Sequence, residues 1–133
     1  MGLCPMGIQQ LGKEVRFLVP MVRNSDRELH EITKWEWLKE QMYVEFPEGW
    51  QRRHYLRTGS TIYGTVEGHW FDRVKKLGVP DECVEFIVAI LPERMPDLEK
   101  LFDSICLEFD QKCIYFTNGE EAALYFPSKT GAD

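Results

Sequence analysis

The stretch Val84-Glu85-Phe86-Ile87-Val88-Ala89-Ile90-Leu91 decides the fold. It carries one charge in eight residues and is rich in β-branched side chains, and Pro92 stops it. A short, nearly continuous apolar run of this kind reads as a central strand buried on both faces. Everything on either side is read as what such a strand needs for neighbours and cover.

Downstream, Pro96 suits a first helical turn. Leu98, Leu101, Phe102, Ile105, Cys106 and Phe109 then recur at three- and four-residue steps, the strongest helical pattern in the chain. Cys113 to Thr117 reads as a strand, Asn118-Gly119 as a hairpin signal, and Ala122 to Phe126 as the returning strand. Upstream, Val15 to Val22 reads as a strand in which Pro20 marks an edge, a bulge or the end. Asn24-Ser25-Asp26 supplies turn chemistry. A helix is predicted from Arg27 to Glu45, with Ile32, Trp35, Leu38, Met42 and Phe46 on one stripe and Trp37 on its flank as an interface or pocket wall. Trp50 to Phe71, interrupted by Gly59, Gly64 and Gly68, reads as extended structure with a hairpin or long loop. Lys75 to Asp81 reads as a polar connection.

Two amphipathic helices each bury one face, so both need the same sheet. The expected fold is therefore α+β: a ferredoxin-like, split βαβ antiparallel sheet with two helices on one face, plus a C-terminal hairpin. The expected organisation is a flexible tail over 1–12, one domain over 13–127 and a flexible tail over 128–133. A core of Phe86, Val88, Ile90, Leu98, Leu101, Phe102, Ile105 and Phe109 is predicted.

The runs Phe17-Leu18-Val19-Pro20, Gly49-Trp50, Gly68-His69-Trp70, Phe86 to Ile90 and Phe109 to Phe116 together resemble small bacterial and phage-associated proteins of ferredoxin-like fold. The resemblance spans about residues 15 to 127. It implies the fold and carries no activity or functional residue with it.

Composition narrows the function classes. The chain has 133 residues and a net charge of −6, so nucleic acid is not the expected partner. Trp50 to Lys76 nevertheless holds six basic residues against two acids. That makes it +4 and leaves −10 for the remainder, so a local anion site is a candidate. Cys4, Cys83, Cys106 and Cys113 form no CxxC pair; they are read as reduced thiols of a cytoplasmic protein, and the last three as buried. No membrane span, metal site or cofactor is expected.

The candidate binding residues are Arg53, His54, Arg57, Tyr63, His69 and Trp70. A pocket joining His, Tyr and Arg can hold an anion and move a proton. Strand alternation places Arg53 and Arg57 on one side and Arg52 and His54 on the other. The aromatic surplus, with four Trp, five Tyr and eight Phe, points to a covered sheet face. The expectation is a non-enzymatic interaction or ligand-binding domain working as a homo-oligomer, a homodimer, with an anionic ligand or a protein as partner. The alternative is a small cofactorless enzyme, oxygenase- or isomerase-like, using the same His/Tyr/Arg residues. Both rest on fold analogy.

Overall fold

A computed structural model describes residues 7–53, 65–72 and 76–127. The elements, in chain order, are β1 (Lys13–Pro20), α1 (Ile32–Glu45), β2 (Trp50–Arg53), β3 (Thr65–Asp72) and β4 (Leu77–Ile90). A 3-10 turn (Pro92–Arg94) leads into α2 (Met95–Glu108), followed by β5 (Ile114–Asn118) and β6 (Glu121–Tyr125). No helix among the described residues is long and apolar enough to cross a membrane.

The strands form one sheet in the order β2-β4-β1-β5-β6, with β3 also paired to β4. Every pairing is antiparallel. This is the α+β arrangement the element order implies: β4 lies between β1 and β2, as in a split βαβ unit. The sheet is widened by β6, and β2 and β3 share one edge of β4.

Alternation along β1 sends Val15, Phe17 and Val19 inward, and along β4 it sends Val84, Phe86, Val88 and Ile90 inward. Those side chains meet Leu38 and Met42 of α1 and Leu98, Leu101, Phe102 and Ile105 of α2. Phe17 stacks on Phe86 at 5.1 Å and meets Phe102 edge-on at 5.1 Å. All eight predicted core residues are buried. Cys83 and Cys106 are buried and Cys113 is partly so.

Four local readings change. β4 begins at Leu77, so the stretch read as a polar connection, Lys75 to Asp81, is mostly strand. Its pairing with β1 ends at Cys83, so among the described residues Leu77 to Asp81 are held by β3 alone. A strand with one free edge tolerates Pro80, because no ladder there needs its missing N–H.

α1 starts at Ile32, five residues later than Arg27. Arg27 has φ 62°, its N–H donates to the Arg23 carbonyl, and Arg23 N–H donates to Glu28. A Val22–Leu29 bridge closes this loop. Asn24-Ser25-Asp26 is thus spent on a turn: Ser25 donates from its N–H and its Oγ to Asp110 Oδ2, at 2.9 and 2.5 Å. Ile32, read as part of the buried stripe, is 76% exposed.

Trp37, expected at an interface or pocket wall, packs partly buried against the core, 6.4 Å from the Phe109 ring.

Candidate functional site

The face of the sheet turned away from the helices has no third layer among the described residues. The registers define its rows. One row runs Arg53, Glu85, Leu18, Tyr115, Leu124 across β2, β4, β1, β5 and β6. The next runs Gln51, Ile87, Arg16, Thr117, Ala122. The β2 end of this face is charged. The β5–β6 end is apolar and open: Tyr115 is 46% and Leu124 54% exposed.

Glu85 organises the charged end. Its side chain is only 14% exposed and lies 3.6 Å from Arg53 Nε and 4.0 Å from Arg16. Arg16 also donates to Glu14 from Nε and Nη2, at 3.1 and 2.9 Å. This bond raises the Arg16 pKa further above its ordinary value. Two guanidinium groups thus face two carboxylates. Arg53 lies on the opposite face from Arg52, as alternation implies, but its charge is engaged, which weakens the pull of this surface on anions.

Of the other sequence candidates, His54, Arg57 and Tyr63 lie outside the described residues. His69 and Trp70 are in β3, paired with Pro80 and Val79. Arg53 pairs with Glu85 and Thr65 with Val84, so β2 and β3 take successive positions along β4. His69 stands opposite a residue five positions from Glu85, roughly 17 Å along the strand at the usual rise per residue. Arg53 and His69 are therefore not brought together. Sequence reading missed Glu85 as the partner of Arg53 and Arg16. The signal was its standing as the sole charge inside the apolar run.

The remaining histidine is structural. His30 is buried edge-on to Phe109 at 4.8 Å and Trp35 at 5.7 Å, with Nε2 2.9 Å from the Pro20 carbonyl oxygen. Burial pulls its pKa below the ordinary histidine value. Burial also pushes the Cys106 thiol up to about 12, so it is inert rather than nucleophilic.

Two small clefts stand out on the described surface. One, of about 110 Å³, lies between Gln9, Gln10, Glu48, Ala89 and Arg94. The other, of about 120 Å³, lies between α1 and α2 at Gln41, Glu45, Lys100 and Ser104. Neither reaches the roughly 300 Å³ at which small-molecule pockets begin.

No protein-family profile matches this sequence, and no curated protein matches it. Two solved structures share its fold. One is a phage SAM lyase in complex with S-methyl-5′-thioadenosine, with 11% sequence identity, 92% of this chain and 96% of that chain covered, and a TM-score of 0.59. The other is a phage SAM lyase in the apo state, with 9% identity, 98% and 99% coverage and a TM-score of 0.57. At these identities the likeness is one of fold, and at that level it supports the resemblance to phage-associated proteins.

Proposed function

We propose that this chain is a cytoplasmic small-ligand-binding domain that works as a homodimer. Its ligand is a thioadenosine-type nucleoside, and it cleaves the sulfonium form, S-adenosylmethionine, as a cofactorless lyase. The observation that supports this reading is the end-to-end likeness to a SAM lyase holding S-methyl-5′-thioadenosine, with 92% and 96% of the two chains covered.

The chemistry suits a protein with no cofactor. A sulfonium sulfur is already a leaving group. When its bond to the amino-acid chain breaks, the electron pair goes to sulfur and leaves neutral S-methyl-5′-thioadenosine. The carbon released is satisfied either by bonding to the substrate's own carboxylate oxygen, which closes a lactone, or by loss of the neighbouring proton to a base, for which the substrate's carboxylate or a water molecule suffices. No oxidant or reductant is required. The protein's task is to hold the substrate in a reactive shape and exclude competing water. Neither of these two clefts among the described residues has the volume for such a nucleoside. In this reading the site is shared with a second copy, with Arg53, His54, Arg57, Tyr63, His69 and Trp70 as the polar and aromatic residues to test.

The experiment is direct. Purified protein is incubated with S-adenosylmethionine, and S-methyl-5′-thioadenosine is followed by liquid chromatography with mass detection. Release above the buffer rate, together with a rise in melting temperature on adding S-methyl-5′-thioadenosine, is expected. Neither release nor a shift would sink the reading.

A second reading, a non-enzymatic interaction domain, draws on one observation: the open apolar row Leu18, Tyr115 and Leu124 on the uncovered face. Self-association without turnover would select it.

A further inference from the structure

Three arginines enter or leave the short edge strand β2 region, and the structure separates them. Arg53 is engaged by Glu85, and Arg57 lies outside the described residues. Arg52 alternates to the helix side, where it is partly buried with its guanidinium carbon 5.9 Å from the centre of the Trp50 ring. Among the described residues no carboxylate lies within ion-pair distance of it. Glu36, the acid whose field it feels, is held by Lys39 at 2.9 Å. A half-buried guanidinium with only a distant, already engaged carboxylate has donors left to offer.

The neighbouring residue shows a second deficit. Trp50 stacks on Phe86 at 6.1 Å and meets Tyr43 of α1 edge-on at 5.2 Å. Its indole Nε1 is buried and has no hydrogen-bond partner. Buried polar atoms are nearly always paired, so an orphan needs an explanation. Tyr43 beside it is 58% exposed, a large aromatic with one face free. Among the described residues, a buried indole N–H without an acceptor, a guanidinium without a close carboxylate and an exposed ring therefore meet at the α1–β2 edge, where the described sheet ends.

We propose that the α1–β2 edge is an anion subsite, in which Arg52 and the Trp50 indole N–H receive the oxygens of a carboxylate or phosphate carried on a flat ring that packs on Tyr43. Both donors match that chemistry. A guanidinium fork suits two anionic oxygens, and an indole N–H can only donate. The long Arg52 side chain, lying over the Trp50 ring, is the flexible cover that must swing to admit the ligand. The proposal rests on reading the chain as a small-ligand binder, and it can fail while that reading stands.

The test follows the Trp50 indole N–H by ¹H–¹⁵N NMR on the full chain, the peak being assigned by its loss in Trp50→Phe. The probes are adenosine 5′-monophosphate, benzoate, inorganic phosphate, adenosine and S-methyl-5′-thioadenosine. The ring-bearing anions should move this peak. Inorganic phosphate should do so only weakly, and the neutral nucleosides should leave it in place. Arg52→Gln should weaken adenosine monophosphate binding by about tenfold or more, as expected for a lost charged hydrogen bond. Arg52→Lys, which keeps the charge and most of the packing, should bind between the two. A peak that no anion moves, or equal affinity in wild type and both Arg52 variants, overturns the subsite. If S-methyl-5′-thioadenosine still binds in that case, the proposed function survives without it.

Discussion

His30 carries the clearest dependence on pH in a single side chain. Burial disfavours its charged form, and Arg23 and Lys34 oppose protonation while Asp110 favours it. The net direction is a folded pKa below the ordinary histidine value. The unfolded chain therefore takes up the proton first as pH falls. Stability should be complete above about pH 6.5 and decline below it towards the folded pKa. Urea midpoints measured from pH 7.5 to 5 should fall, and His30→Asn should flatten that slope. A wild-type midpoint constant over the range would show that His30 does not titrate differently on unfolding. Gly12 offers a purely steric counterpart. Its φ is +113°, and an added Cβ would come within 2.2 Å of the Ile90 carbonyl oxygen. Gly12→Ala should lower stability by about 1–3 kcal/mol, the range for strained backbone, with the denaturant slope unchanged. A loss within ordinary surface scatter, below about 0.5 kcal/mol, would mean that the chain entering β1 simply moves aside.

Among the elements, α2 packs five buried residues into fourteen. Leu101→Ala should cost about 2–5 kcal/mol, the range for buried leucines; a loss under about 1 kcal/mol would place that position at the surface. The same stripe explains why α2 was legible in the sequence: one buried face gives one period, and nothing competes with it. β4 was legible only where neighbours cover it on both sides, from Val84 onward. Its first residues, Leu77 to Asp81, are strand by virtue of pairing with β3, and Gly78 and Pro80 carry the local chemistry of a turn. Tertiary pairing overrode that signal. The start of α1 was misplaced for the opposite reason. Turn residues at Asn24 to Asp26 resemble a helix cap, but Arg27 at positive φ and the hydrogen bonds to Asp110 commit them to a closed loop. The site was less legible than the fold. Alternation put Arg53 and Arg52 on opposite faces, and the structure agrees. What neutralises Arg53, Glu85, is a cross-strand neighbour, and register cannot be read from a single strand.

At the scale of the whole molecule, the question is what covers the sheet. The helices close one face over a core with both β1 and β4 inward chains buried. The other face grades from the Arg53–Glu85–Arg16 charges to the open Leu18, Tyr115 and Leu124. Such a gradient fits self-association through the apolar end, with the charged end left at the rim, where polar groups sit in stable interfaces. β6 adds a second inducement. It is the outer strand on that side and most of it is exposed, and an unpaired edge is a template for another strand. Glu121 at its start is the kind of charge that limits such pairing to a specific partner. Leu124→Glu together with Tyr115→Lys should therefore shift the protein from dimer to monomer without unfolding it. Sedimentation velocity from low to high micromolar concentration reads the mass, and circular dichroism reads the fold. If wild type sediments as a monomer throughout that range, the homodimer fails, and with it the idea that a second copy completes the nucleoside site. If wild type is a dimer and the double variant remains one, association runs through another surface, and the open row is ordinary exposed sheet. Activity separates the two readings of function in the same samples. A lyase completed by its partner should lose S-methyl-5′-thioadenosine release in step with the dimer fraction, whereas a site contained in one chain should keep its rate per chain in the monomeric variant.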